Sequence, residues 1–206
     1  MTEDRFNFVA LQFTALLGIV FAVQVFTGFD PGFNASQSPW WKFFTSVIGH
    51  SDLQHLMNNA FFIALFGSIY ERLTSGRTFL LTFFGAALLA NLSAFIFFPT
   101  SSIIGASGGA MGVLSALAVY RPRKIGLALG VPAPMWAVLV SYVFINVAGL
   151  PADTSVAYEA HLFGLAAGAP VGFWLRDRPY LEENEDEEAE EDWRKRIREW
   201  EERWMM

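Results

Sequence analysis

The chain has 206 residues, no cysteine, 53% hydrophobic residues and only 17% charged ones, where a soluble domain carries roughly a quarter charged. The net charge of −6 is concentrated at one end. From Glu182 to Met206 twelve acidic residues face five basic ones, which leaves everything before them near neutrality. No basic patch suits nucleic acid, and the missing thiols exclude disulfide scaffolds, cysteine nucleophiles and cysteine-ligated metal.

In chain order, six apolar runs approach the length of a membrane-spanning helix: Phe8 to Gly28, Leu53 to Tyr70, Thr78 to Phe98, Ile103 to Tyr120, Ile125 to Val147 and Ala157 to Leu175. The first is too long for a signal peptide and follows Glu3 and Asp4 rather than a basic segment, so it is expected to remain as a span. Arg5, Arg72, Arg77, Arg121, Arg123, Lys124, Arg176 and Arg178 fall on one side of an alternating six-span path, and only Lys42 on the other. The positive-inside bias then predicts both termini in the cytoplasm of a cell-membrane protein, with the loop from Phe29 to Asp52 outside. Residues 1–178 form the membrane domain, and 179–206 an acidic cytoplasmic tail. Within the tail, Trp193, Ile197, Trp200 and Trp204 recur at helical spacing among basic residues, which fits an amphipathic helix on the lipid surface and equally a solvated helix or partner-binding peptide.

Polar groups at membrane depth are costly and therefore mark function. Span two begins with His55 and Asn59, span four with Gly105, Ala106, Ser107 and Gly108, and span six with His161. Ser107 precedes Arg121 by fourteen residues, His161 precedes Arg176 by fifteen and Asn59 precedes Arg72 by thirteen. At about 1.5 Å per residue all three sit ~20 Å above the cytoplasmic arginines, with His55 one turn higher. Gly164 and Gly168 follow His161 on one helical stripe, and Gly108 and Gly112 have small-xxx-small spacing, so spans four and six are expected to pack closely.

A serine hydroxyl beside a neutral imidazole is an activated nucleophile. The free N–H groups at the start of the Ser107 helix, with His55 and Asn59, would hold a developing oxyanion. Taken singly, each residue also has an ordinary use: a serine or glycine in helix packing, a histidine bonding between helices, an asparagine holding a loop. Their conjunction at one depth sets them apart. His50, His55 and His161 raise the alternative of a metal site, but neither a His-Glu-x-x-His helix nor a mid-span carboxylate accompanies them, so no metal or other cofactor is expected. A transporter would show inverted repeats, and none stands out.

At these residues the chain resembles the rhomboid intramembrane serine proteases: Gly105-Ala106-Ser107-Gly108 with Gly112, His55 with Asn59 four residues on, Ala160-His161 with Gly164 and Gly168, and the six-span order, from about Trp40 to Leu175. The resemblance implies an all-α, six-helix membrane bundle. Ser107 would be the nucleophile, His161 the base, and His55 and Asn59 parts of the oxyanion hole, in a dyad without an orienting carboxylate. Substrates would be transmembrane segments of other proteins, cut near the outer face. Met111 stands where some members have a tyrosine stacked on the histidine, and Trp40, Trp41 and Lys42 where a Trp-Arg pair is common. Glu71 and Arg72 resemble the polar pair ending span two, and by themselves suggest an interfacial ion pair. The outer loop, the connection from Gly149 to Val156, and span five with Pro132 and Pro134 are candidates for substrate access. The other reading is a catalytically silent relative that binds membrane helices. Oligomeric state is not legible.

Overall fold

The computed structural model describes residues 7–97, 99–151, 156–177, 193–200 and 203. In chain order its elements are α1 (Val9–Thr27), β1 (Phe33–Asn34), α2 (Lys42–Thr45) and α3 (Leu53–Phe62), the last continuing through a π turn (Ile63–Gly67) into α4 (Ser68–Leu73). Then follow α5 (Gly76–Asn91), α6 (Ser93–Phe97), β2 (Ser102–Ile103), α7 (Ser107–Tyr120), β3 (Ile125–Ala128), β4 (Val131–Pro134), α8 (Met135–Gly149) and α9 (Tyr158–Leu175). The fold is mostly helical. Two helical stretches, Val9–Thr27 and Gly76–Phe97, are long and apolar enough to cross a membrane, while the apolar α7 and α8 are shorter. Arg5, Arg178, Trp204 and the acidic run from Glu182 to Asp192 lie outside the described residues, whereas 193–200 are helical with Trp193, Ile197 and Trp200 exposed.

The helix ends are defined locally. Asp52 caps α3 by accepting the His55 N–H at 2.8 Å, Ser75 caps α5 through the Thr78 N–H at 3.1 Å, and Gly28 ends α1 in the left-handed region. Phe8 offers no side-chain cap to α1. Its first N–H groups are taken instead by Glu71, whose buried carboxylate accepts from Val9 at 2.9 Å and Ala10 at 2.8 Å. The side chain suggested for an interfacial ion pair thus ties the end of α4 to the start of α1, where the helix dipole favours negative charge.

Helix α7 is the centre of the bundle. Every residue from Gly108 to Ala118 is buried, because a helix apolar on all sides needs neighbours on all sides. α5 and α9 flank it, and Phe13, Phe79 and Phe83 interlock edge-to-face between α1 and α5. β1 and β2 pair antiparallel, Phe33 opposite Ile103, which ties the loop after α1 to the segment just before Ser107. In the same loop Lys42 pairs with Asp30 at 3.5 Å.

The expected span from Ile125 to Val147 is corrected. Its first ten residues form a β-hairpin with Ile125 opposite Pro134, and α8 begins only at Met135. Leu129 and Gly130, with φ of 52° and 86°, make the tight turn that matches strand twist. The fourth run is also shortened, since Ile103 pairs in β2 and α7 starts at Ser107.

Candidate active site

Ser107 is the first residue of α7 and His161 lies in the first turn of α9. Their side chains meet, with Nε2 2.8 Å from Oγ. The approach rests on the α9 glycines. A Cβ at Gly164, Gly168 or Gly172 would overlap the carbonyl oxygen of Gly108, Gly112 or Ala116 respectively, so only hydrogen lets the two backbones touch. Gly108 and Gly112 serve a second neighbour as well: a Cβ on either would collide with Ala90 or Ala86 of α5.

Gly105, in the same glycine-rich motif as Gly108 and expected to pack beside the site with it, does something different. It precedes α7 with φ 130°, and a Cβ there would stand 2.7 Å from Cε1 and Nε2 of His55. The glycine lets the imidazole lie against the backbone leading to Ser107. Its N–H is anchored on the Ser46 carbonyl at 2.9 Å.

On α3, His55 Nδ1 is 3.0 Å from Ser51 Oγ, which in turn donates to Asp52 at 2.8 Å. A Ser51 hydroxyl turned instead toward Nδ1 would leave His55 as an Nε2–H donor. Asp52 is exposed, and its carboxyl is held below the ordinary range, first by the His55 backbone N–H and then by the Ser51 hydroxyl. Asn59 is buried and donates one amide hydrogen to the His55 carbonyl at 3.0 Å, keeping the other. Behind them His50 is buried edge-to-face on the His55 ring at 5.2 Å, and burial is the main reason its imidazole is pushed down to about 4. Its backbone is clamped to α1 by the Gln24 amide, through bonds of 2.9 and 3.1 Å.

Ser107, His161, His55, Asn59 and Met111 all border one cavity of about 790 Å³, which extends between α3 and α8 toward Leu127 and Gly130 of the hairpin. Among the described residues no group of three histidines and carboxylates is disposed to hold a metal. One polar contact escaped the sequence. Asn146 of α8, buried in an apolar helix, places Oδ1 2.8 Å from His161 Nδ1. An amide within an apolar helix was the available signal, but nothing in the spacing pairs it with His161. The Tyr158 ring stands edge-on to the same imidazole at 6.3 Å.

Residues 37–178, which include every polar side chain of this cavity, match the family model described as Rhomboid domain. The chain belongs to the rhomboid family. Among curated rhomboid relatives it is similar to Rhomboid protease GluP of Bacillus subtilis (strain 168), 27% identical over 135 residues, 65% of this chain and 25% of that protein. It is also similar to Rhomboid-related protein 2 of Mus musculus, 25% identical over 146 residues, 65% of this chain and 47% of the relative. Rhomboid-like protein 11, chloroplastic, of Arabidopsis thaliana is 29% identical over 77 residues, 37% of this chain and 28% of that protein. The chain therefore spans between a quarter and about half of the length of these relatives. Rhomboid membership makes this a membrane-protein family in which many members are serine proteases.

Proposed function

We propose that this rhomboid is an intramembrane serine endoprotease. The observation that carries the proposal is the 2.8 Å contact between Ser107 Oγ and His161 Nε2 at the edge of a cavity. Ser107 Oγ attacks a substrate peptide carbonyl while its proton passes to Nε2, and the carbonyl oxygen becomes an oxyanion. The Ser107 N–H, free at the start of α7, the Asn59 amide and, with the Ser51 hydroxyl turned to Nδ1, the His55 Nε2–H stabilise that charge. The imidazolium then protonates the leaving amine. Water, deprotonated by the same imidazole, hydrolyses the acyl-enzyme and restores Ser107.

In this proposal the chain crosses the membrane six times with both termini cytoplasmic. Residues 1–178 form the protease, and 179–206 a tail facing the cytoplasmic leaflet. Substrates are transmembrane segments of other proteins, which must unwind because an intact helix keeps its carbonyls bonded internally. They reach Ser107 along the cavity between α3 and α8, where Phe61, Phe62, Leu65 and Tyr142 offer an apolar wall.

The test is cleavage of a reporter transmembrane substrate by the full chain in lipid vesicles. Ser107→Ala and His161→Ala each abolish cleavage with thermal stability retained. Wild-type cleavage by Ser107→Ala would end the proposal. Binding of the reporter without cleavage by the wild type would favour the silent relative.

A further inference from the structure

The two hydrogen bonds of Asn146 reach beyond packing. Its Nδ2 donates to the Tyr142 carbonyl at 2.7 Å, and a carbonyl can only accept. That bond fixes the amide orientation and leaves Oδ1, an acceptor, facing His161 Nδ1 at 2.8 Å. A neutral imidazole facing an acceptor at Nδ1 must carry its hydrogen there. Nε2 then holds the lone pair, directed at Ser107 Oγ, also 2.8 Å away.

The surroundings hold this line of contacts in register. Asn146 and Gly149 lie three residues apart on α8, and Tyr158 and His161 three apart on α9, so the two pairs face each other. A Cβ at Gly149 would sit 2.5 Å from the Tyr158 ring, which shows how closely the helix ends meet. On the other side of Asn146, Tyr142 stacks edge-to-face on Phe62 at the end of α3 at 5.3 Å, seating α8 against the helix that carries His55 and Asn59.

We infer that Asn146 is a positioning residue that completes a Ser107–His161–Asn146 unit, holding the base in the Nδ1–H tautomer and in the plane that points Nε2 at the nucleophile. The inference rests on the protease proposal for Ser107 and His161 and deepens it. Asn146 touches no substrate; it acts through His161. It supplies from α8 an orienting contact where Met111 offers only a thioether. As the imidazole becomes an imidazolium, the Oδ1 dipole stays aimed at the Nδ1–H and stabilises the new charge.

The test compares Asn146→Leu, which keeps the volume and removes the acceptor, with Asn146→Asp, which keeps an acceptor at the same position. Turnover of the reporter substrate is measured in vesicles beside Ser107→Ala. Asn146→Leu should lower kcat by about 100-fold, within the range for general-base catalysis, with KM unchanged. Asn146→Asp should restore kcat to within about tenfold of wild type. Wild-type kcat in Asn146→Leu, or equal damage in both variants, overturns the inference while inactive Ser107→Ala leaves the protease proposal standing. Cleavage by Ser107→Ala would instead overturn that proposal. Should Asn146→Leu fail to fold, the imidazole nitrogen resonances of 15N-histidine-labelled wild type decide. Hydrogen on Nδ1 of His161 supports the inference, and hydrogen on Nε2 overturns it.

Discussion

Gly168→Ala is the sharpest probe of how the fold builds the site, because a single methyl group tests a contact far from the chemistry. Its Cβ would land well inside the Gly112 carbonyl oxygen. Carbon and carbonyl oxygen rest at about 3.3 Å or more, so α9 has to withdraw from α7 by about 1 Å or more. Both helices are stiff over the two turns to His161, and the 2.8 Å contact with Ser107 then stretches past the ~3.5 Å at which a hydrogen bond ceases to count. A misplacement of ~1 Å at a reacting pair costs about 100-fold in rate. Overpacking should cost about 1–3 kcal/mol of stability. The assay is kcat on a transmembrane reporter, with unfolding followed in detergent. Gly85→Ala is the control, since a Cβ there meets nothing within 4 Å. Wild-type kcat in folded Gly168→Ala would refute the claim that this glycine stripe sets the Ser107–His161 distance.

Three other perturbations test separate parts of the structure. Glu71→Gln removes the charge that accepts two N–H bonds at the start of α1, and should lower stability by about 1.5–3 kcal/mol in a detergent unfolding titration. An unchanged unfolding midpoint would contradict that role. Gly105→Ala should lower kcat by about 100-fold with the fold intact, because the methyl group displaces His55 and the oxyanion loses a donor; turnover at the wild-type level would remove His55 from the oxyanion account. The folded carboxyl of Asp52 lies below its unfolded value, chiefly through its bond from the His55 N–H, so its charge stabilises fully above the ordinary carboxylate range. That contribution fades as pH falls through the lowered folded value, so the Tm advantage of wild type over Asp52→Asn should be constant above ~pH 5 and shrink below ~4. A difference independent of pH would refute the cap's ionic character.

Much of this arrangement is legible in the chain because membrane depth and helical spacing are both periodic signals. Counting back from Arg72, Arg121 and Arg176 puts Ser107, His161 and Asn59 at one level, and the stripe of Gly164 and Gly168 indicates which helix could approach Ser107. The hairpin from Ile125 to Pro134 resembles a span in sequence because a hydropathy window sums apolar residues without regard to conformation. The local signals were the Leu129-Gly130 turn and the two prolines at 132 and 134, which disfavour a continuous span. Gly105 looked like its neighbours in a glycine-rich motif, and only its φ of 130° and the His55 ring separate its use from theirs. Asn146 is hidden in the sequence for a different reason. A hydrogen bond between α8 and α9 depends on how those helices dock, and no spacing within either one specifies it.

In the proposed mechanism Ser107 is a nucleophile activated by His161. A fluorophosphonate probe tests it most directly, since it reacts with an activated serine and needs no knowledge of the substrate. The full chain in vesicles should be labelled, the adduct mapping by mass spectrometry to Ser107, with labelling abolished in Ser107→Ala and reduced by at least about 100-fold in His161→Ala. Labelling that persists in Ser107→Ala, or that is undiminished in His161→Ala, would contradict it.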